Sequence, residues 1–181
     1  MRKITTVSFC ILFALTLKSQ STFFDLSAYK LFNYQINSAL DTKTADYLTL
    51  TSEKTNLSVF SFVDGHSGKA YFFVEKNSDY KELGLLLKSN GCQISDFEEI
   101  PPAEDIFLEI YMNRGGISTD EIPEHMPKFI QIGPDNELSN DLYNLAKKTW
   151  VKKYPEKYNS FFPPKKEMTE EETEKYKSKI Y

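Results

Sequence analysis

Three side chains are the candidates to bind a soft metal ion in this sequence: Cys92, His66 and His125. A thiolate and imidazoles are ligands that Cu(I) and Zn(II) accept. The three positions are far apart along the chain, so a metal site requires the fold to bring them together. The alternative for Cys92 is a buried packing residue, since it follows a predicted helix end. The alternative for the two histidines is that each lies in an exposed loop and binds no ligand.

A second group of residues offers aromatic surface for a ligand. Phe60, Phe62, Tyr71 and Phe73 lie on two neighbouring predicted strands, so at least one face of the sheet carries aromatic rings. If helices cover only the opposite face, these rings form a binding surface for a glycan or another protein. The alternative is that residues 101–163 pack over this face and bury the rings.

The sequence indicates that the protein is not an enzyme. It contains no Gly-x-Ser-x-Gly, no His-Glu-x-x-His and no glycine-rich phosphate loop. The acidic pairs Glu98-Glu99, Glu104-Asp105 and Asp120-Glu121 do not have the spacing of a glycosidase or calcium site. We therefore predict a non-enzymatic binding or interaction protein.

The elements that must position these residues alternate along residues 29–100. Aromatic and β-branched runs predict strands, and leucines at helical spacing predict the helices between them. A turn at residues 64–68 joins two of the strands into a β-hairpin. This order predicts an α+β fold, a ferredoxin-like βαββαβ sandwich with a four-stranded antiparallel sheet and two helices on one face. Ser78 is predicted to cap the second helix.

Beyond residue 100 the composition changes. Residues 101–163 are predicted to form a helical C-terminal extension in which Ser139 caps a helix anchored by Trp150. Within it, residues 105–112 are apolar, and their pattern fits either a short helix or an added edge strand. Residues 164–181 form a charged tail.

The stretch Lys88-Ser89-Asn90-Gly91-Cys92-Gln93-Ile94, with the leucine-rich helix before it and the βαββαβ order, resembles the heavy-metal-associated domain family. In that family a Cys-x-x-Cys pair between the first strand and first helix binds Cu or Zn and hands it to a partner. The matching positions near residues 37–43 contain no cysteine. The resemblance therefore implies the ferredoxin-like fold without the usual metal site, and any Cu or Zn cofactor would need relocated ligands.

Residues 1–20 predict a signal peptide. Arg2 and Lys3 precede an apolar run that ends at Leu17, which is too short for a stable membrane span. We expect an exported protein, periplasmic or extracellular, with no membrane span after signal cleavage.

Cleavage would also change the charge and the cysteine count. Without Arg2, Lys3 and Lys18, the basic residues fall from 22 to 19 against 26 acids, a net charge of about −7, and Cys92 is the single cysteine left. An acidic chain is a poor nucleic-acid binder, and one cysteine excludes an internal disulfide. The partner that we expect is an envelope protein or a glycan such as peptidoglycan.

Overall fold

The computed structural model describes residues 24–163, which contain a four-stranded antiparallel sheet and five α-helices. The α+β class is as predicted. The strands are β1 (Tyr29–Ile36), β2 (Phe60–Asp64), β3 (Lys69–Glu75) and β4 (Ile94–Ile100). The helices are α1 (Thr42–Lys54), α2 (Tyr80–Ser89), α3 (Glu104–Arg114), α4 (Asn136–Lys153) and α5 (Pro155–Phe161). The strands lie side by side in the order β2-β3-β1-β4. The predicted signal peptide, residues 1–20, and the charged tail, residues 164–181, lie outside the described residues.

Aspartate side chains define the starts of three helices. Asp41 accepts a hydrogen bond from the backbone N–H of Thr44 at 2.8 Å and so caps α1. Asp79 caps α2 and Asp135 caps α4 in the same way, so the predictions of Ser78 and Ser139 as caps are wrong. Asp79 lies one residue after Ser78, and Asp135 lies four residues before Ser139. Ser139 is instead buried inside α4.

The apolar segment 105–112 forms helix α3. Phe107, Leu108, Ile110, Tyr111 and Met112 are all buried, so apolar residues occupy most of the circumference of this helix. A helix that is buried nearly all round has no amphipathic pattern. This explains why the sequence pattern did not distinguish a helix from a strand.

The sheet separates two hydrophobic cores. The α1–α2 face carries the side chains of Phe32, Tyr34, Phe72 and Val74, which pack with Leu48 of α1 and with Leu83 and Leu87 of α2. The α3–α4 face carries Leu31, Phe60 and Phe73, which pack with Phe107 of α3 and with Leu142 and Trp150 of α4. The described C-terminal helices are therefore the cover of the second sheet face.

A glycine fixes the hairpin between β2 and β3. Gly68 has φ +69°, a conformation that favours glycine, and a Cβ atom added there would lie 2.4 Å from the carbonyl oxygen of Ile36. The backbone N–H of Ile36 donates to the carbonyl of Gly68 at 2.7 Å. The turn therefore packs directly against the end of β1.

Within residues 24–163, no helix combines the length and apolar character that crossing a lipid bilayer requires.

Candidate functional site: the open end of the sheet

On the α3–α4 face, strand pairing aligns side chains into three rows that each cross all four strands. Residues that pair directly on neighbouring strands point to the same face. The apolar row is Phe60, Phe73, Leu31 and Ile100. The mixed row is Phe62, Tyr71, Asn33 and Glu98. The polar row is Asp64, Lys69, Gln35 and Asp96.

The apolar row is buried beneath α3. The ring of Phe107 lies 5.6 Å from that of Phe60 and 5.7 Å from that of Phe73, measured between ring centroids. Both strand residues have no exposed surface. Phe60 and Phe73, which the sequence suggested as parts of a binding surface, are therefore core residues, because α3 covers the end of the sheet where they lie.

The mixed row lies at the edge of this cover. Phe62 and Tyr71 are half-buried against the core, and Glu98 is exposed. These two aromatic residues are the part of the predicted binding surface that the structure leaves accessible. Their rings border a polar region and keep some surface open to a ligand.

Asn33 occupies the middle of the mixed row, between Tyr71 and Glu98. Its side-chain oxygen Oδ1 is buried and has no hydrogen-bond partner. A buried acceptor without a donor costs about 1–3 kcal/mol, and such groups are rare in native proteins. The mixed row thus presents a hydrogen-bond acceptor that could pair with a donor group of a ligand.

Charges of both signs surround Tyr71. Burial raises the pKa of the Tyr71 hydroxyl, and the carboxylates of Glu109 and Asp64 raise it further, while Lys69 lowers it. Lys69 is the one basic residue in the mixed and polar rows, which contain three carboxylates at positions 64, 96 and 98. This surface accepts hydrogen bonds more readily than it donates them.

The polar row is ordered by the hairpin turn. Gln35 donates from Nε2 to the carbonyl oxygen of Gly68 at 3.2 Å. Burial alone would raise the pKa of Asp64, but hydrogen bonds from Ser67 and His66 outweigh burial and lower it. Asp64 is thereby stabilised as a carboxylate at the end of β2.

A buried ion pair fixes the position of α3 over the sheet. Arg114, the last residue of α3, pairs with Glu53 of α1, and its Nη2 lies 3.1 Å from Oε2 of that carboxylate. The same guanidinium donates to the carbonyl of Ser61 at 2.8 Å and lies 5.1 Å from the centroid of the Phe60 ring. Glu53 also accepts the backbone N–H of Ser61 at 3.0 Å. Both charges are nearly inaccessible, with side-chain exposures of 8% for Arg114 and 3% for Glu53.

The structure does not assemble the predicted metal ligands. Cys92 is buried at the end of α2, and burial raises the pKa of its thiol, which disfavours the thiolate that binds metal. His66 lies in the exposed hairpin turn, and His125 is exposed after a short 3-10 helix. Among residues 24–163, no group of three His, Cys, Asp or Glu side chains is close enough to hold a metal ion. A shared site of Cys92, His66 and His125 is therefore not formed.

Comparisons of this chain with protein-family models, with curated proteins and with solved structures find no match.

Several residues of this surface were missed by sequence reasoning. Alternation along β1 places Asn33 on the same face as Leu31, but its neighbours follow only from the strand pairing. Glu98 stood out only as one member of an acidic pair. The Glu53–Arg114 pair joins residues 61 positions apart, and no local pattern indicates it.

Proposed function

We propose that this protein is a non-enzymatic binding module whose ligand is a glycan bound at the mixed and polar rows. The observation that carries the proposal is the buried, unpaired Asn33 Oδ1 beside the half-buried ring of Tyr71. A sugar supplies both matching features, since its hydroxyl groups donate hydrogen bonds and its C–H faces pack against aromatic rings.

The charge of the surface narrows the class of glycan. With carboxylates at positions 64, 96 and 98 and one lysine, the rows repel anionic polymers and favour ligands rich in hydroxyl or amine donors. A neutral or amine-bearing polysaccharide, such as the glycan strands of peptidoglycan, fits this requirement. The predicted signal peptide supports an exported protein that meets such a polymer in the periplasm or outside the cell.

We also infer a ferredoxin-like scaffold. The chain order of β1, α1, β2, β3, α2 and β4 and the sheet order β2-β3-β1-β4 support this inference. The proposed kinship with heavy-metal-associated domains concerns the scaffold and carries no metal site to this chain.

The test is co-sedimentation of the full chain with purified peptidoglycan sacculi and with insoluble neutral polysaccharides. We expect the wild-type protein to sediment and Tyr71→Ala to bind about fivefold to thirtyfold more weakly, because a central aromatic contact is worth about 1–2 kcal/mol. Tyr47→Ala is the matched control, since Tyr47 is a 54% exposed tyrosine on α1, away from the rows. Equal losses in the two variants, or no sedimentation of the wild type, would refute the proposal.

Metal binding through Cys92 is the competing outcome. It is measured by titrating the reduced full chain with Zn(II) or Cu(I) against a chelator. One-to-one uptake that disappears in Cys92→Ser, together with no glycan binding, would replace the glycan function with a soft-metal function.

A further inference from the structure

An opening lies between the first turn of α3 and the last turn of α4, on the side of the C-terminal helices. It is lined by Ala103, Glu104, Asp105, Thr149, Lys152 and Lys153. We propose that this opening binds a small oxyanion, a phosphate or carboxylate group.

The start of α3 supplies backbone donors. Its N-cap residue is Ala103, which has no side chain that can accept a hydrogen bond from the first turn. The first intrahelical bond runs from the N–H of Phe107 to the carbonyl of Ala103 at 2.9 Å, so the N–H groups of residues 104–106 have no acceptor within the helix. Free N–H groups and the positive end of the helix dipole favour an anion at this position.

Thr149 provides an independent observation at this opening. This residue of α4 lines the opening, is 3% exposed, and its Oγ1 has no hydrogen-bond partner. A threonine inside a helix usually bonds its hydroxyl to a carbonyl one turn earlier. An oxyanion in the opening would accept a hydrogen bond from the Thr149 hydroxyl and so satisfy the group.

The charged residues around the opening form two exposed pairs. Lys152 lies 3.1 Å from the carboxylate of Glu104, and Lys153 lies 3.3 Å from that of Asp105. An exposed pair contributes only about 0–1 kcal/mol, so breaking it costs little. We infer that both ammonium groups turn from the carboxylates to the oxyanion, and that the two acids then face solvent.

The test uses inorganic phosphate as the probe and the full chain as the protein. Backbone amide NMR signals are followed during titration with sodium phosphate and, separately, with sodium chloride at equal ionic strength. We expect saturable shifts of the amides of residues 104–106 and 149 in phosphate alone. Shifts that do not saturate, or that chloride reproduces, would overturn the proposal.

Variants separate a site from a general effect of charge. Lys152→Gln/Lys153→Gln should weaken phosphate binding about tenfold or more, because two charge-assisted contacts are lost. Lys128→Gln/Lys157→Gln removes the same charge outside the opening and should leave binding unchanged. Thr149→Val keeps the shape of the side chain and should weaken binding several-fold. Equal weakening by both lysine pairs would contradict a defined site.

The oxyanion could belong to a soluble molecule or to a lipid headgroup. Sedimentation with vesicles of phosphatidylglycerol, compared with phosphatidylcholine, distinguishes these sources. Sedimentation with the anionic vesicles that inorganic phosphate competes away would indicate a headgroup. Phosphate binding without sedimentation would indicate a soluble ligand.

Discussion

The two faces of the sheet differ in how completely their buried polar groups are satisfied. On the α1–α2 side, Ser52 and Ser61 share a hydrogen bond of 2.9 Å, and Thr49 Oγ1 accepts the N–H of Val63 at 3.0 Å. On the α3–α4 side, Asn33 Oδ1 and Thr149 Oγ1 are buried without a partner. Among the described residues, these are the two such side-chain atoms. One face is a closed core, and the other keeps unused hydrogen-bonding capacity.

This difference follows from how each face is covered. Helices α1 and α2 lie between strands in the chain and pack along the sheet with Leu48, Leu83 and Leu87. Helix α3 comes after the last strand and covers the apolar row, where Phe107 packs. The mixed and polar rows lie beyond the buried part of that face. The capacity contributed by Asn33 is therefore located where the added helices stop, whereas Thr149 lies between them.

The largest expected effect comes from the ion pair that holds the two sides together. Arg114→Met should destabilise the protein by about 3–5 kcal/mol, because it leaves the Glu53 carboxylate buried without its partner. The measurement is urea unfolding followed by circular dichroism.

The control is the double variant Glu53→Gln/Arg114→Met, which removes both charges. It should lose clearly less stability than Arg114→Met, because no uncompensated charge remains. If Arg114→Met lowered the free energy of unfolding by less than about 1 kcal/mol, the ion pair would not be what stabilises the position of α3 over the sheet.

The next effect tests whether the two cores are one cooperative unit. Leu48→Ala on the α1–α2 side and Phe107→Ala on the α3–α4 side each remove a side chain with no exposed surface. Each should cost about 2–5 kcal/mol, since both leave a cavity. We expect a single transition in both variants, because the cores share every strand of the sheet.

Leu85→Ala is the control for these truncations. Leu85 is 66% exposed on α2, so its loss should change stability by no more than about 0.5 kcal/mol. Two separate unfolding transitions in Phe107→Ala, one for each core, would show that the two cores do not unfold as a single cooperative unit.

The smallest effect concerns alkaline pH. Burial raises the pKa of Tyr111 on α3 from 10.0 to about 12, and a hydrogen bond at the Ile130 backbone partly opposes the rise. Because the folded-state pKa is raised, the neutral hydroxyl stabilises the fold fully below pH 10.0, and this contribution is lost as pH rises through about 12. Tyr111→Phe should therefore lose stability less steeply than the wild type across this range.

The measurement is the urea midpoint at pH values from neutral to alkaline. At neutral pH, Tyr111→Phe should be less stable by about 1 kcal/mol, because its hydroxyl donates to the carbonyl of Lys128 at 2.9 Å. Parallel pH profiles for the two proteins would show that Tyr111 does not contribute to alkaline unfolding.

The sequence predicted the local elements better than the contacts between them. The run at 29–36 and the hairpin around residues 64–68 are confirmed, since aromatic strands and a glycine turn are local signals. The burial of Cys92, one of its two predicted interpretations, is also confirmed. Helix α3 stayed undecided because burial on nearly all sides removes periodicity.

Only some residues of the candidate site could be predicted from the sequence. Phe62 and Tyr71 were singled out by their aromatic character, but so were Phe60 and Phe73, which α3 buries. Separating the two pairs requires knowing where α3 ends on the sheet. Asn33 gained significance only once the pairing placed it beside Tyr71 and left its oxygen without a donor.

The close approach of Gly68 to Ile36 determines which positions near the binding surface can be substituted and which cannot. Side chains in the mixed and polar rows project from a fixed backbone, so different residues there would give a different ligand preference on the same scaffold. Gly68 has no such freedom, because any larger residue would meet the carbonyl of Ile36 and push the hairpin away from β1. A shift of one residue in that pairing would send the facing side chains to the opposite side of the sheet. Gly68 is therefore required for the strand pairing that places the mixed and polar rows on the side of the sheet that meets a ligand.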